Sequence, residues 1–169
     1  EKRLEDLASP KDERKMRLIL ALVSLNFEAG LCDLGEFLKK FKPNKHSGFD
    51  TDLVLNTDEI QEIGIDPQSP EYREYLGLGN FALINGQAKH YSNKPPAAKE
   101  DLYGNDKGVL TRALSSSPNP GDATLNGIAK EIRKSLSFDF YSWDLDAIRD
   151  RRSFIIKEFV SIIPDSLVP

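Results

Sequence analysis

The chain has 169 residues and a mass of 19.0 kDa, with 39% hydrophobic residues, 30% charged residues and a net charge of −4 at pH 7. No stretch approaches the roughly 18 uncharged apolar residues that a membrane helix requires, and residues 1–20 carry charges where a signal peptide would be apolar. The single cysteine, Cys32, can form neither an intrachain disulfide nor a thiolate zinc cluster. We therefore expect a cytoplasmic protein with no membrane partner.

The length fits one domain, which we expect to span residues 1–169. Because the sequence begins with Glu1 and not with methionine, we expect it to be a piece of a longer protein. Charge is unevenly distributed, since residues 50–74 hold eight Asp or Glu residues against one Arg, whereas residues 86–112 are slightly basic. The chain as a whole is too acidic for strong non-specific binding to DNA.

In the first half of the chain, hydrophobic spacing and capping residues predict helices around one strand. Ser9 and Pro10 precede a run with a broad apolar face, which is typical of a well-buried helix. Alternating residues after Phe49 predict a strand, and Thr57 or Asp58 is expected to cap the helical turn that follows. The predicted elements are helices over residues 10–26 and 33–41, a strand over 49–56, a helical turn over 57–64 and a short helix over 71–78.

The second half predicts a second strand and three helices. The strand, over residues 79–84, is entered through Gly79, and Pro95 and Pro96 are expected to end or interrupt the helix after Gly86. Further helices are expected over 123–135, capped by Asp122 or Thr124, and over 144–163. In the last helix, apolar residues form a buried stripe, and its arginines are expected to face outward or toward a partner: Arg149, Arg151 and Arg152.

Four short motifs occur in a fixed order along the chain. They are DLVLN at 52–56, LGNFALI at 78–84, SNKPPAAK at 92–99 and WDLDAIR at 143–149. In this order and spacing, over residues 11–160, the chain resembles the C-terminal HNH-type nuclease domain of GmrSD-like, modification-dependent restriction enzymes. The family pattern has [D/E]-H-I-x-P, L-G-N-x-x-L-L, S-N-x-P-F-x-x-K and W-x-x-x-x-I-x-x-R at the corresponding places.

The resemblance implies an α+β fold that is mainly helical, with a small inserted ββα element of the HNH type. It implies a domain of an anti-phage restriction protein, placed C-terminal to a sensor or NTPase domain or subunit. An active member would be a metal-dependent DNA endonuclease that uses Mg²⁺ or Mn²⁺ on foreign or modified DNA. In such a site a carboxylate holds the metal and a histidine deprotonates water.

The chain departs from this pattern at the chemically important positions. Leu53 stands where the family has its general-base histidine, and a leucine neither accepts a proton nor binds a metal. Lys89 and His90 occupy the place of the helix asparagine that completes the metal site. Aligning residues 63–68 with the first motif instead puts glycine in place of the histidine. The resemblance therefore implies a degenerate catalytic site.

Each candidate residue has a functional role and a structural alternative. If the site is active, Asp52 is a metal ligand, His90 a surrogate ligand or base, and Asn80 an orienting residue. The alternatives are a solvated or capping carboxylate for Asp52, a surface side chain for His90, and backbone hydrogen bonds for Asn80. The expected phosphate contacts, or alternatively solvated surface residues, are Lys94, Lys99 and Arg149.

The sequence leaves two main functions open. The first is a weakened or inactive DNA nuclease domain, and the second is a catalytically dead scaffold that binds DNA or a protein partner. An unrelated small-molecule enzyme is disfavoured because the chain has no Gly-rich phosphate loop, no G-x-S-x-G elbow, no H-E-x-x-H and no C-x-x-C.

Overall fold

In the part of the chain that the structure describes, the fold is α+β and mainly helical, with a small antiparallel sheet. The computed structural model describes residues 12–28, 49–85, 91, 94–136 and 143–162. The elements are α1 (Glu13–Phe27), β1 (Phe49–Leu53), α2 (Thr57–Glu62), α3 (Pro70–Tyr75), a 3₁₀ helix (Leu78–Asn80), β2 (Phe81–Asn85), α4 (Pro96–Gly104), α5 (Val109–Arg112), α6 (Ala123–Ser135) and α7 (Leu145–Ile162). The coarse fold class expected from the sequence is confirmed.

The sheet is a two-stranded ladder whose strands are far apart in the chain. β1 and β2 pair antiparallel, with Phe49 opposite Asn85 and Asp52 opposite Ala82. α2, α3 and the 3₁₀ helix occupy the connection between them, and α4 follows β2. Both strands are expected from the sequence, but β1 ends at Leu53. The Val54 N–H still bonds to the carbonyl of Asn80, and the Leu55 N–H then bonds to the Asn80 side chain instead of to a strand backbone.

The hydrophobic core lies between the sheet and the long helices α1 and α7. α1 buries one face along its length, including Met16, Leu20 and Val23, as its broad apolar pattern predicts. α7 contributes Ile148 and Ile155, and packs closely on the 3₁₀ helix and on α1. The core therefore seats the strand pair on α1, and α7 packs in turn against α1 and the 3₁₀ helix that leads into β2.

The ends of the helices follow local capping chemistry. Asn56 caps α2, accepting hydrogen bonds from the N–H groups of Asp58 and Glu59 while the Glu59 carboxylate accepts from the Asn56 N–H, so the expected cap at Thr57 or Asp58 is wrong. Asp122 caps α6 as one of the two predicted residues. α4 begins at Pro96, because proline is compatible with the first turn of a helix.

Some of the expected helical segments cannot be compared with the structure, and others differ from it. The helix expected over 33–41 lies outside the described residues, as does the segment 86–90 after β2. The short helix α5 was not expected, because four residues are too few to show helical periodicity. The expectation that Arg151 faces outward or toward a partner is wrong, since its side chain is buried on the same face of α7 as Ile148 and Ile155.

Within the described ranges, no helix has the length and apolar character needed to cross a membrane.

Candidate functional site

Asp52 lies near the end of β1 and points into the protein. Its Oδ2 atom is 3.1 Å from the Nζ atom of Lys99 and accepts a hydrogen bond of 2.6 Å from the hydroxyl of Tyr103. Burial raises the pKa of Asp52 above its ordinary value, while the attraction of Lys99 and the Tyr103 hydrogen bond act in the opposite direction. The carboxylate is therefore not a solvated surface group but one partner of an enclosed ion pair.

Lys99 reaches Asp52 from one turn inside α4. Its side chain is 0% exposed, and its ammonium also donates to the carbonyl oxygens of Leu53 and, at 3.3 Å, Val54. The three protons of the ammonium thus face three oxygen atoms. The sequence predicts that Lys99 contacts a phosphate. Its ammonium is buried and therefore does not reach a phosphate at the surface.

Tyr103 completes this buried group, although its position was not among the residues expected to form a site. It lies four residues after Lys99 on α4, so both side chains point to the same side of the helix. Burial raises the pKa of Tyr103 well above its ordinary value, and the ring of Tyr91 stacks on it with centroids 5.8 Å apart. The sequence feature that could have identified Tyr103 is its i, i+4 spacing from Lys99 in the helix that begins at Pro96.

Asn80 ends the 3₁₀ helix and is completely buried. Its Oδ1 atom accepts from the Leu55 N–H and from Trp143 Nε1, both at 2.9 Å. Its Nδ2 atom donates to the carbonyls of Leu55, at 2.8 Å, and Tyr75, at 2.7 Å. Both donor protons and both acceptor positions are thereby used, so Asn80 ties the loop after β1 to the end of α3 and to the segment that leads into α7.

Arg151 is buried as well, although its sequence context favours a place at the surface or against a partner. Its Nη1 atom donates to the carbonyls of Gly79 and Phe81, both at 2.7 Å, which flank Asn80. Burial lowers the pKa of Arg151 to about 10, and its Nη2 atom has no hydrogen-bond partner among the described residues. The sequence feature that could have predicted its burial is its i, i+3 and i+7 spacing with Ile148 and Ile155, which places the three residues on one face of the helix.

The two other residues expected to contact DNA, Lys94 and Arg149, lie at the surface, and Arg149 is paired with a carboxylate. Lys94 is exposed just before α4. Arg149 is held by both carboxylate oxygens of Glu74, at 2.8 and 2.9 Å, and this hydrogen bonding raises its pKa. Its guanidinium already has the planar two-point partner that a phosphate would otherwise supply.

His90, the expected surrogate base and metal ligand, lies outside the described residues, and its role stays a prediction. In the portion of the chain that the structure describes, no group of three or more His, Cys, Asp or Glu side chains could hold a metal ion. The metal implied by the resemblance does not fit the contacts of Asp52, because an ammonium already lies against its carboxylate.

Comparison of the chain with protein-family models, with curated protein sequences and with solved structures found no match.

Proposed function

We propose that this chain is a nuclease-like domain of a restriction or phage-defence protein, and that it binds a protein partner without cutting DNA. The partner is the sensor or nucleotide-hydrolysing part of the same defence system. The observation that carries the proposal is the buried contact between Asp52 and Lys99. The assignment to a defence protein rests on the motifs DLVLN, LGNFALI, SNKPPAAK and WDLDAIR.

The contacts of Asp52 support the loss of catalysis. A carboxylate that binds a divalent cation must present its oxygens to that cation, and a neighbouring ammonium repels the cation. Leu53, the residue after Asp52, supplies no base for water activation. The ion pair and the leucine thus remove the two chemical parts that an HNH-type site needs.

The charges at the surface favour a protein partner over DNA. Among the three expected phosphate contacts, Lys99 is buried and Arg149 is engaged by Glu74, which leaves Lys94. The helices α2 and α3 expose several carboxylates, which repel a phosphate backbone: Asp58, Glu62 and Glu71. Because affinity for DNA depends on the number of neutralised phosphates, this surface provides little of it.

The first experiment is nicking of supercoiled plasmid by the purified chain with Mg²⁺ or Mn²⁺, compared with an EDTA control and with the His90→Ala variant. We expect wild-type nicking to equal the EDTA background. Metal-dependent nicking that disappears in His90→Ala would overturn the proposal and establish a rebuilt nuclease site. A circular dichroism spectrum of each sample shows that the tested chain is folded.

A second experiment separates DNA from protein as the partner. DNA affinity is measured from 50 to 300 mM salt for wild type and Lys94→Ala. We expect weak binding at every salt concentration and no effect of the substitution. Tight binding that falls steeply with salt and weakens in Lys94→Ala would contradict a protein-binding role and favour DNA. Calorimetric binding to the sensor or NTPase polypeptide is the expected positive result.

A further inference from the structure

The ammonium of Lys99 is surrounded by three oxygen atoms, which all come from residues 52–54. These are Oδ2 of Asp52 and the carbonyl oxygens of Leu53 and Val54. Successive carbonyl groups of a regular strand point to opposite sides. They converge on one nitrogen here because β1 ends at Leu53 and the chain bends at Val54.

This donor set has the chemistry of a cation site. Carboxylate and backbone carbonyl oxygens are the ligands that hard divalent cations take in proteins. An ammonium satisfies the same oxygens with three hydrogen bonds and a single charge. The side chains of Asp52 and Lys99 are 1% and 0% exposed, so the charge of the carboxylate is neutralised inside the protein by a cation that is covalently part of the chain.

We propose that the oxygens of Asp52, Leu53 and Val54 form a cation site whose built-in occupant is the ammonium of Lys99, in place of a divalent metal ion. This inference rests on the proposed function, for which it supplies the physical cause. Lys99 fills the site with an occupant that cannot dissociate, so the wild-type chain does not bind a divalent cation there. Removing the ammonium leaves a buried carboxylate and two carbonyls that a small cation satisfies.

The test compares wild type with Lys99→Ala, with the double variant Asp52→Asn/Lys99→Ala and with the surface control Lys94→Ala. Ca²⁺ is added to each, and the melting temperature is measured. Tb³⁺ luminescence, excited through aromatic side chains such as Tyr103, whose hydroxyl bonds to Asp52, gives a second readout. We expect the melting temperature of Lys99→Ala to be about 4 °C higher with Ca²⁺ than without it, when the Ca²⁺ concentration is ten times its dissociation constant.

The same addition is expected to leave the other three proteins unchanged. Lys99→Ala alone should show sensitised Tb³⁺ luminescence, and Ca²⁺ should quench it by displacing the lanthanide. If Lys99→Ala is unfolded without a cation, we expect Ca²⁺, but not NaCl of equal ionic strength, to restore its helical circular dichroism, and we expect no such recovery in the double variant.

Four results would overturn the cation site, and the first three concern Lys99→Ala and the double variant. They are a folded Lys99→Ala that gains neither stability nor luminescence, a Lys99→Ala that stays unfolded in Ca²⁺, and a response that persists in the double variant. Binding of Tb³⁺ by the wild type that is lost in Asp52→Asn would also overturn it, because the ammonium would then not exclude the metal. Plasmid nicking by wild type would instead overturn the proposed function, so the two failures are distinguishable.

Discussion

The indole Nε1 of Trp143 donates to Oδ1 of Asn80 at 2.9 Å, and this bond joins residues 63 positions apart in the chain. Asn80 also bonds to both backbone groups of Leu55 and to the carbonyl of Tyr75. One amide therefore connects the loop after β1, the end of α3 and the segment that leads into α7. The family resemblance places this asparagine at a nuclease site, and its contacts are those of a structural residue.

Replacing Asn80 with alanine should be among the most destabilising substitutions in the chain. Four partner groups lose their hydrogen bonds in a region that water does not reach, and each unsatisfied buried group costs about 1–3 kcal/mol. We expect the free energy of unfolding, measured in urea, to fall by about 3–5 kcal/mol. The control Asn119→Ala, at an exposed loop position, should change it by less than about 1 kcal/mol. Equal losses in the two variants would contradict this role of Asn80.

Gly79 is required because the 3₁₀ helix touches the backbone of α7. A Cβ atom at this position would lie 1.9 Å from the carbonyl oxygen of Ile148. We expect Gly79→Ala to lower the free energy of unfolding by about 3 kcal/mol or more, since two backbones must separate. At Gly127, inside α6, a Cβ atom would have no neighbouring atom within 4 Å, so Gly127→Ala should stabilise the protein by about 0.5–1 kcal/mol. Thermal melts of both variants check the opposite signs.

The adjacent arginines of α7 should differ sharply in their effect on stability. Arg151→Met removes the donor to the carbonyls of Gly79 and Phe81, whereas Arg152 makes a looser contact of 3.7 Å with Glu74. We expect Arg151→Met to cost about 2 kcal/mol and Arg152→Met less than about 1 kcal/mol in urea unfolding. A larger loss at Arg152 would show that the buried guanidinium is not what holds the entry to β2.

Two glutamates should contribute to pH dependence with opposite signs. Glu28 accepts hydrogen bonds of 2.8 Å from Ser24 and from the Val109 N–H, and burial raises its pKa above 4.5 despite them. The hydrogen bonds from Arg149 lower the pKa of Glu74 below 4.5. The folded state thus holds the Glu28 proton more tightly than the unfolded chain does, and the Glu74 proton less tightly.

The measurement is urea unfolding at several pH values for wild type, Glu28→Gln and Glu74→Gln. Relative to Glu28→Gln, wild type should lose stability as the pH rises from about 4.5 toward neutrality. Relative to Glu74→Gln, wild type should gain stability as the pH rises through the acid range to about 4.5. Curves of the same sign for both pairs would contradict the opposite pKa shifts.

Much of the fold could be predicted from the sequence, because local chemistry decides it. The apolar face of α1, the cap of α6 at Asp122 and the extent of α7 follow from residues within a few positions of each other. Element ends were less accurate. β1 stops early because its continuation bonds to Asn80, which is 25 residues away from Leu55.

The sequence by itself determined the class of the fold and its two strands, and it singled out Asp52 and Asn80 as candidate site residues. Only the tertiary structure decided what those residues contact. Whether Lys99 and Arg151 meet solvent or an interior oxygen depends on which helix packs over which strand end. The spacing of Arg151 places it on the buried face of α7, but it does not identify the carbonyl oxygens that Arg151 contacts. The burial of a charge is favourable only where distant segments supply its partners, and here β1, α4, the 3₁₀ helix and α7 supply them together.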